Sequence, residues 1–142
     1  MAFKKIVILG DPIYSTEQAN AAITPGHLVE YISTGKVQKQ ADGGVNCGRM
    51  FMIEKSLAGG EIGDACVANE QIELAHCRGG DQIYAWLSDG ETVVIGDLLE
   101  AGTTDGELIK LASGQPIAIA REAKDLSASA NAAAARIHIE II

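Results

Sequence analysis

Three histidines, three cysteines and a run of aspartates are the residues best equipped for chemistry, and their spacing argues against most of it. His27, His76 and His138 lie far apart, and only His76 has a cysteine beside it, Cys77. Neighbours in a strand point to opposite faces, so His76 and Cys77 cannot easily share a tetrahedral metal. Cys47, Cys66 and Cys77 are odd in number and form no C-x-x-C pair, which predicts free, buried thiols and a reducing compartment of synthesis. Asp64, Asp81, Asp97 and Asp105 each adjoin a glycine, so a turn accounts for every one. The calcium-loop pattern D-x-[DN]-x-[DN]-G is absent. Ser127 and Ser129 stand outside any G-x-S-x-G. Ile6-Val7-Ile8-Leu9-Gly10-Asp11 looks like the first strand of a nucleotide-binding fold, but Pro12 and Tyr14 follow where G-x-G-x-x-G would open a helix. The expected inventory is empty: no catalytic residue, no cofactor, no metal, and no enzyme.

What must be positioned is therefore a scaffold. From Gly63-Asp64 onward the chain meets Gly80-Asp81, Asp89-Gly90, Gly96-Asp97 and Asp105-Gly106, the turn spacing of a small all-β domain. Strands are expected over residues 3–9, 28–32, 82–87, 108–111 and 117–120. Residues 92–95 make the firmest of them, because the run is β-branched. Residues 136–142 alternate with isoleucines on one face. Residues 36–40 alternate weakly, 49–53 read as strand or helix, and 66–74 as an interrupted strand. Residues 16–22 read as a helical turn or a loop. The Ala-rich stretch 127–135 is the one helix candidate, with a polar loop as its alternative.

Composition narrows the class. A chain of 142 residues is one domain by length, and its 47% apolar content suits a globular core. Aromatics are only 4%, so the core is built from Ala, Val, Ile and Leu; partner subunits are expected to cover what it cannot. The net charge of −8 leaves no basic patch beyond Lys4-Lys5 and Lys36 with Lys39, which excludes nucleic acid as a natural partner. Lys4-Lys5 and four apolar residues resemble the start of a signal peptide, but Gly10-Asp11-Pro12 cuts it short. No run is long enough for a membrane span. The expectation is a soluble chain made in the cytoplasm, with no membrane partner.

In order, Ile23-Thr24-Pro25-Gly26-His27-Leu28-Val29-Glu30, the Gly43-Gly44 loop, Phe51, Glu54, Gly63-Asp64 and Gly79-Gly80-Asp81 form one half of a longer pattern. Ala85-Trp86-Leu87, Gly90, Gly96-Asp97-Leu98-Leu99, Asp105-Gly106-Glu107-Leu108 and the Ala-rich stretch into Arg136-Ile137 complete it. The whole, from about residue 19 onward, resembles the capsid decoration (cement, head-stabilising) proteins of tailed double-stranded DNA bacteriophages. None of its pieces is a catalytic signature. The resemblance implies a mainly β fold, a compact small barrel of the β-tulip type with at most one or two short helices. It also implies a homotrimer on the outer surface of the virion head, bridging neighbouring major capsid subunits and stabilising the capsid, with no cofactor. Residues 1–18 match least and are expected as an N-terminal extended arm that adds a strand to a neighbour or to the coat.

A rival comes from Thr24-Pro25-Gly26-His27-Leu28-Val29, which also looks like the turn of β-clip domains that bind carbohydrate or another ligand. Such a module normally presents exposed aromatics, and only Tyr84 and Trp86 lie close together. A small enzyme is the third reading and lacks a nucleophile–base pair. The isoleucines of 137–142 add an expectation of closed symmetry, since that face needs cover.

Overall fold

The computed structural model describes residues 3–55, 59–127 and 133–142. Thirteen short strands follow one another, and no helix occurs among the described residues. They are β1 (Val7–Leu9), β2 (Ile13–Gln18), β3 (Val29–Tyr31), β4 (Val37–Lys39), β5 (Met50–Ile53), β6 (Gln71–His76) and β7 (Gln82–Leu87). After these come β8 (Thr92–Val93), β9 (Leu98–Ala101), β10 (Leu108–Lys110), β11 (Ala118–Ala120), β12 (Lys124–Asp125) and β13 (Ala135–Ile141).

Five of them close a barrel in the order β7-β10-β9-β11-β13, with β13 returning to β7. That last seam is the longest, running from Ala135 opposite Leu87 to Glu140 opposite Gln82. The parallel contact of Leu108 with Leu87 shuts the other side. Alternation turns Ile83, Ala85 and Leu87 inward on β7, and Ile137, Ile139 and Ile141 on β13. A five-stranded barrel has a narrow bore, and Ala85, Ala101, Ala118 and Ala120 fit it where larger side chains would hold the strands apart. The small-residue composition is thus what lets the ring close. Each large side chain it buries contributes about 1.5–3 kcal/mol. The isoleucines of β13, expected to need a partner's cover, are fully covered by this chain's own barrel.

A second layer, ordered β2-β6-β5, packs on the barrel through Phe51 and on a smaller core through Met52, Ile72 and Leu74. Ala19, Ile23, Val29, Val37 and Cys66 complete that smaller core beside the β3–β4 hairpin. Most expected strands are present within a residue or two. Residues 13–18, read as arm and as helical turn or loop, are instead a six-residue strand paired with β6 from Ile13–His76 to Gln18–Gln71. The polar side chains of Ser15, Thr16 and Glu17 suit it because β2 lies at the sheet's edge. The N-terminal segment is extended, as expected, and stitched into its own chain: β1 pairs with β7, and Ile6 is fully buried in the barrel core. Strand 92–95 is cut to Thr92–Val93, with Val94 and Ile95 in solvent. Of the helix candidate 127–135, residues 128–132 lie outside the described residues, and Ala135 already belongs to β13.

The aspartates do what turns ask of them. Asp64, Asp81 and Asp97 accept hydrogen bonds from the N–H three residues back, on Glu61, Arg78 and Val94, at 2.8, 2.9 and 2.9 Å. Their own N–H groups return to those same residues' carbonyls. Asp105 sits in the turn closed by Glu107 N–H to the Thr104 carbonyl at 3.1 Å, with Gly106 at φ +75°.

Candidate functional site

Pro25 and Gly26 turn the chain so that its backbone meets the outer face of β7. Gly26 has φ +100°, and a Cβ there would lie 2.9 Å from the Tyr84 carbonyl, so only glycine fits. The turn delivers His27 onto Trp86, ring centroids 5.4 Å apart and 20° from parallel. The Arg136 guanidinium lies 4.5 Å from the same indole centroid. Its Nε donates to the Pro25 carbonyl at 3.0 Å, as does Trp86 Nε1, and its Nη2 donates to the Ile62 carbonyl. Burial, with the charges of Lys39 and Arg136, pushes the His27 imidazole down to about 4, so it is neutral at physiological pH. Its Nδ1 accepts the Thr24 N–H at 3.2 Å, which leaves Nε2 to carry the proton. The neutral imidazole stacked on the indole, with the guanidinium over the same ring, packs this turn onto β7. Tyr84 is taken up by an edge contact with Phe3 at 5.3 Å. The Tyr84–Trp86 pair therefore offers no free stacking platform to a sugar.

The other histidines are also satisfied. His76 Nε2 is 2.6 Å from Ser15 Oγ, and His138 Nε2 is 2.6 Å from Gln82 Oε1. His76 and His138 sit on different sheets, and no grouping of three metal-binding side chains occurs among the described residues. Cys66 is buried and Cys47 and Cys77 half-buried, all as free thiols. Burial, then the charge of Asp81, pushes the Cys77 thiol up to about 12. Burial raises Cys47 and Cys66 as well. None is poised as a thiolate. Ser127 lies at the β12 end, where its N–H donates to Asp125 Oδ1 at 2.9 Å, and Ser129 lies outside the described residues.

What remains available to a partner is surface. Between β1 and β2 opens a concavity of about 400 Å³, lined by Lys5, Val7, Tyr14, Thr16, Ile53, Glu54 and Glu73 among others. Leu9, Ile13 and Tyr14 stand exposed along this part of the chain, Ile13 at 62%. β2 is paired on one side only, so its outer edge carries unused backbone donors and acceptors. Its only charge is Glu17, and it has no proline or bulge to discourage a further strand. Desolvation, then the carboxylate of Asp11, raises the Tyr14 hydroxyl above its usual range, so it stays a donor at neutral pH. A second apolar group, Val94, Ile95 and Leu98, crowns the β8–β9 turn.

Comparison with protein-family models and with curated proteins gives no match to this chain. No helix is long and apolar enough to cross a membrane among the described residues. Residue types give 1–18 as an extended arm and 16–22 as a helical turn or loop, and so do not place β2 as an edge strand of this chain's own sheet. Its signal was there in Ile13-Tyr14-Ser15-Thr16, two β-formers followed by two small hydroxyl residues, directly after Pro12.

Proposed function

We propose that this chain is a capsid decoration protein: a structural virion component that binds the outer surface of an assembled phage head as a homotrimer. In that role it bridges neighbouring major capsid subunits and catalyses nothing. The observation that carries the proposal is the convergence of the segments that bear the resemblance. Residues 23–30, 85–87, 105–108 and 136–137 are far apart in the chain, yet they meet around Trp86. His27 stacks on its ring, Arg136 lies over it, and Pro25 accepts its N–H. Leu28 N–H donates to the Gly106 carbonyl at 2.9 Å, bringing the 105–108 turn into the same cluster. These contacts make the separated pieces of the pattern one packed cluster, which supports reading them together.

The open β2 edge with Leu9, Ile13 and Tyr14 suits the coat contact: backbone pairing supplies affinity and the apolar rim supplies fit. The test uses empty mature heads of the phage whose genome carries this chain. Bare heads are expected to bind the protein on sedimentation and, once decorated, to rupture at a higher temperature than undecorated ones. No binding, or an unchanged rupture temperature, overturns the proposal.

A further inference from the structure

We propose that the Asp42–Gly43 bond is a covalent ageing site, where the chain converts spontaneously to isoaspartate. Three Asp-Gly pairs occur, at 42–43, 89–90 and 105–106, and all three aspartates are exposed. The pairs differ at the glycine nitrogen. Gly90 N–H donates to the Leu126 carbonyl at 2.8 Å, and Gly106 N–H to the Gln40 carbonyl at 2.9 Å. Gly43 N–H makes no hydrogen bond among the described residues, and Gly43 is itself exposed. Nor does any hydrogen bond hold the Asp42 carboxyl there. Gln40 Nε2 donates to the Asp42 carbonyl at 3.3 Å, which polarises the same peptide group and makes its N–H more acidic.

The chemistry needs only water. Gly43 N attacks Asp42 Cγ of the protonated carboxyl. The N–Cγ bond forms, the Cγ–OH bond breaks, and the hydroxyl leaves with the amide proton as one water. The five-membered imide is then hydrolysed. Water adding at Cγ restores aspartate, while water adding at the main-chain carbonyl breaks that C–N bond and leaves the chain running through the side chain. No oxidant, reductant or enzyme is required.

Here the product has consequences, because the loop is pinned on both sides. Gln40 N–H donates to the Leu28 carbonyl at 2.9 Å, Gly44 N–H to the Ala101 carbonyl at 2.8 Å, and Gln115 N–H to the Gly44 carbonyl at 3.0 Å. Isoaspartate inserts one methylene between these anchors. Gly43 has little slack to absorb it, since even a Cβ there would lie 3.0 Å from the Gly102 carbonyl. The extra length should therefore prise Gly44 from Ala101 and Gln115.

The test is incubation of the folded protein in mildly acidic buffer, where the carboxylic acid is populated. Peptide mapping with isoaspartyl methyltransferase labelling then reads each pair. Isoaspartate is expected at residue 42 several-fold faster than at 89 or 105, preceded by a peptide lighter by one water. In urea the three rates should converge, because unfolding frees all three nitrogens. Asp42→Glu, which would need a slower six-membered ring, should remove the signal at 42. Hydrogen exchange at Gly44 and Gln115 should speed up in aged wild type and not in aged Asp42→Glu. Equal rates at the three pairs in the folded protein, or faster reaction at 89 or 105, would overturn the assignment. Unchanged exchange at Gly44 in a fully converted sample would overturn the coupling to the loop.

Discussion

His27 is the residue at which the fold and its chemistry can be separated. Its imidazole is buried against Trp86 and held down to about 4 by desolvation and by the charges of Lys39 and Arg136. The unfolded chain would titrate it near the ordinary histidine value of 6.5. Between those values the unfolded state binds a proton that the folded state refuses, so stability falls as pH drops from 6.5 towards 4. Below the folded value both states are charged and the loss levels off. A difference of that size corresponds to about 3 kcal/mol. Urea unfolding across this range should show the slope in wild type, and His27→Gln should lack that part of it. An identical pH dependence in both proteins would mean the imidazole is not neutral in its pocket. The sequence supplied the residue but not this role: spacing removed His27 from any metal site, while the Trp86 that stacks on it and the Arg136 whose charge depresses it come from β7 and β13, some sixty and a hundred and ten positions away.

At the scale of elements, the local rules that compete are visible. The run Thr92-Val93-Val94-Ile95 has the strongest strand propensity in the chain, yet the strand ends at Val93. Val94 to Asp97 is a reciprocal turn with Gly96 at φ +98°, and that turn's two hydrogen bonds outweigh the propensity of its first two residues. β9 follows this turn directly, and its run Leu98-Leu99-Glu100-Ala101 holds no β-branched residue that would mark it as a strand. Turn positions were legible because Gly and Asp act over three or four residues. Barrel closure was not, since β7 finds β13 only by long-range pairing. A close approach of two loops shows how tight that closure is. A Cβ on Gly114 would lie 2.4 Å from Gly44 Cα and 2.5 Å from Glu100 Oε2, while the Gly114 N–H donates to that buried carboxylate at 2.7 Å. Gly114→Ala should therefore destabilise the fold by about 1–3 kcal/mol through overpacking, measured as a lower urea midpoint with unchanged slope. The N-terminal elements carry the opposite lesson. Deleting residues 1–18 removes Ile6 from the barrel core and β2, one of the two strands paired with β6. The truncated chain should lose cooperative unfolding in calorimetry; a sharp transition near the wild-type temperature would mean that β1 and β2 are dispensable.

For the whole molecule the question is what a barrel with a net charge of −8 would gain by the proposed assembly. The isoleucines of β13 supply no motive, being buried within one chain, so the cover must be sought by side chains that are exposed: Leu9, Ile13 and Tyr14 on one part of the surface, Val94, Ile95 and Leu98 on another. A heterologous contact between two such groups closes into a ring when the rotation per subunit permits, and a trimer is the smallest such ring. Like charge opposes it, so assembly should tighten as salt rises and screening shortens the reach of repulsion. In the proposed function, a trimer would set the mode of binding to a coat lattice. Once one subunit has docked, the second and third contacts are intramolecular, and avidity exceeds a single contact by about 10²–10⁴. Soluble coat subunits present one contact and should bind weakly, whereas heads should bind tightly. Ile13→Asp places a charge on a side chain that is 62% exposed, so it should leave the fold intact while weakening whichever of the two interfaces uses β2. Sedimentation equilibrium and co-sedimentation with heads tell them apart. A variant that remains trimeric and no longer decorates heads puts β2 at the coat, and one that falls to monomer puts it between subunits. Retention of both properties would remove the β2 edge from the interface altogether, and equal affinity of wild type for heads and for soluble coat would leave multivalency no part in the binding.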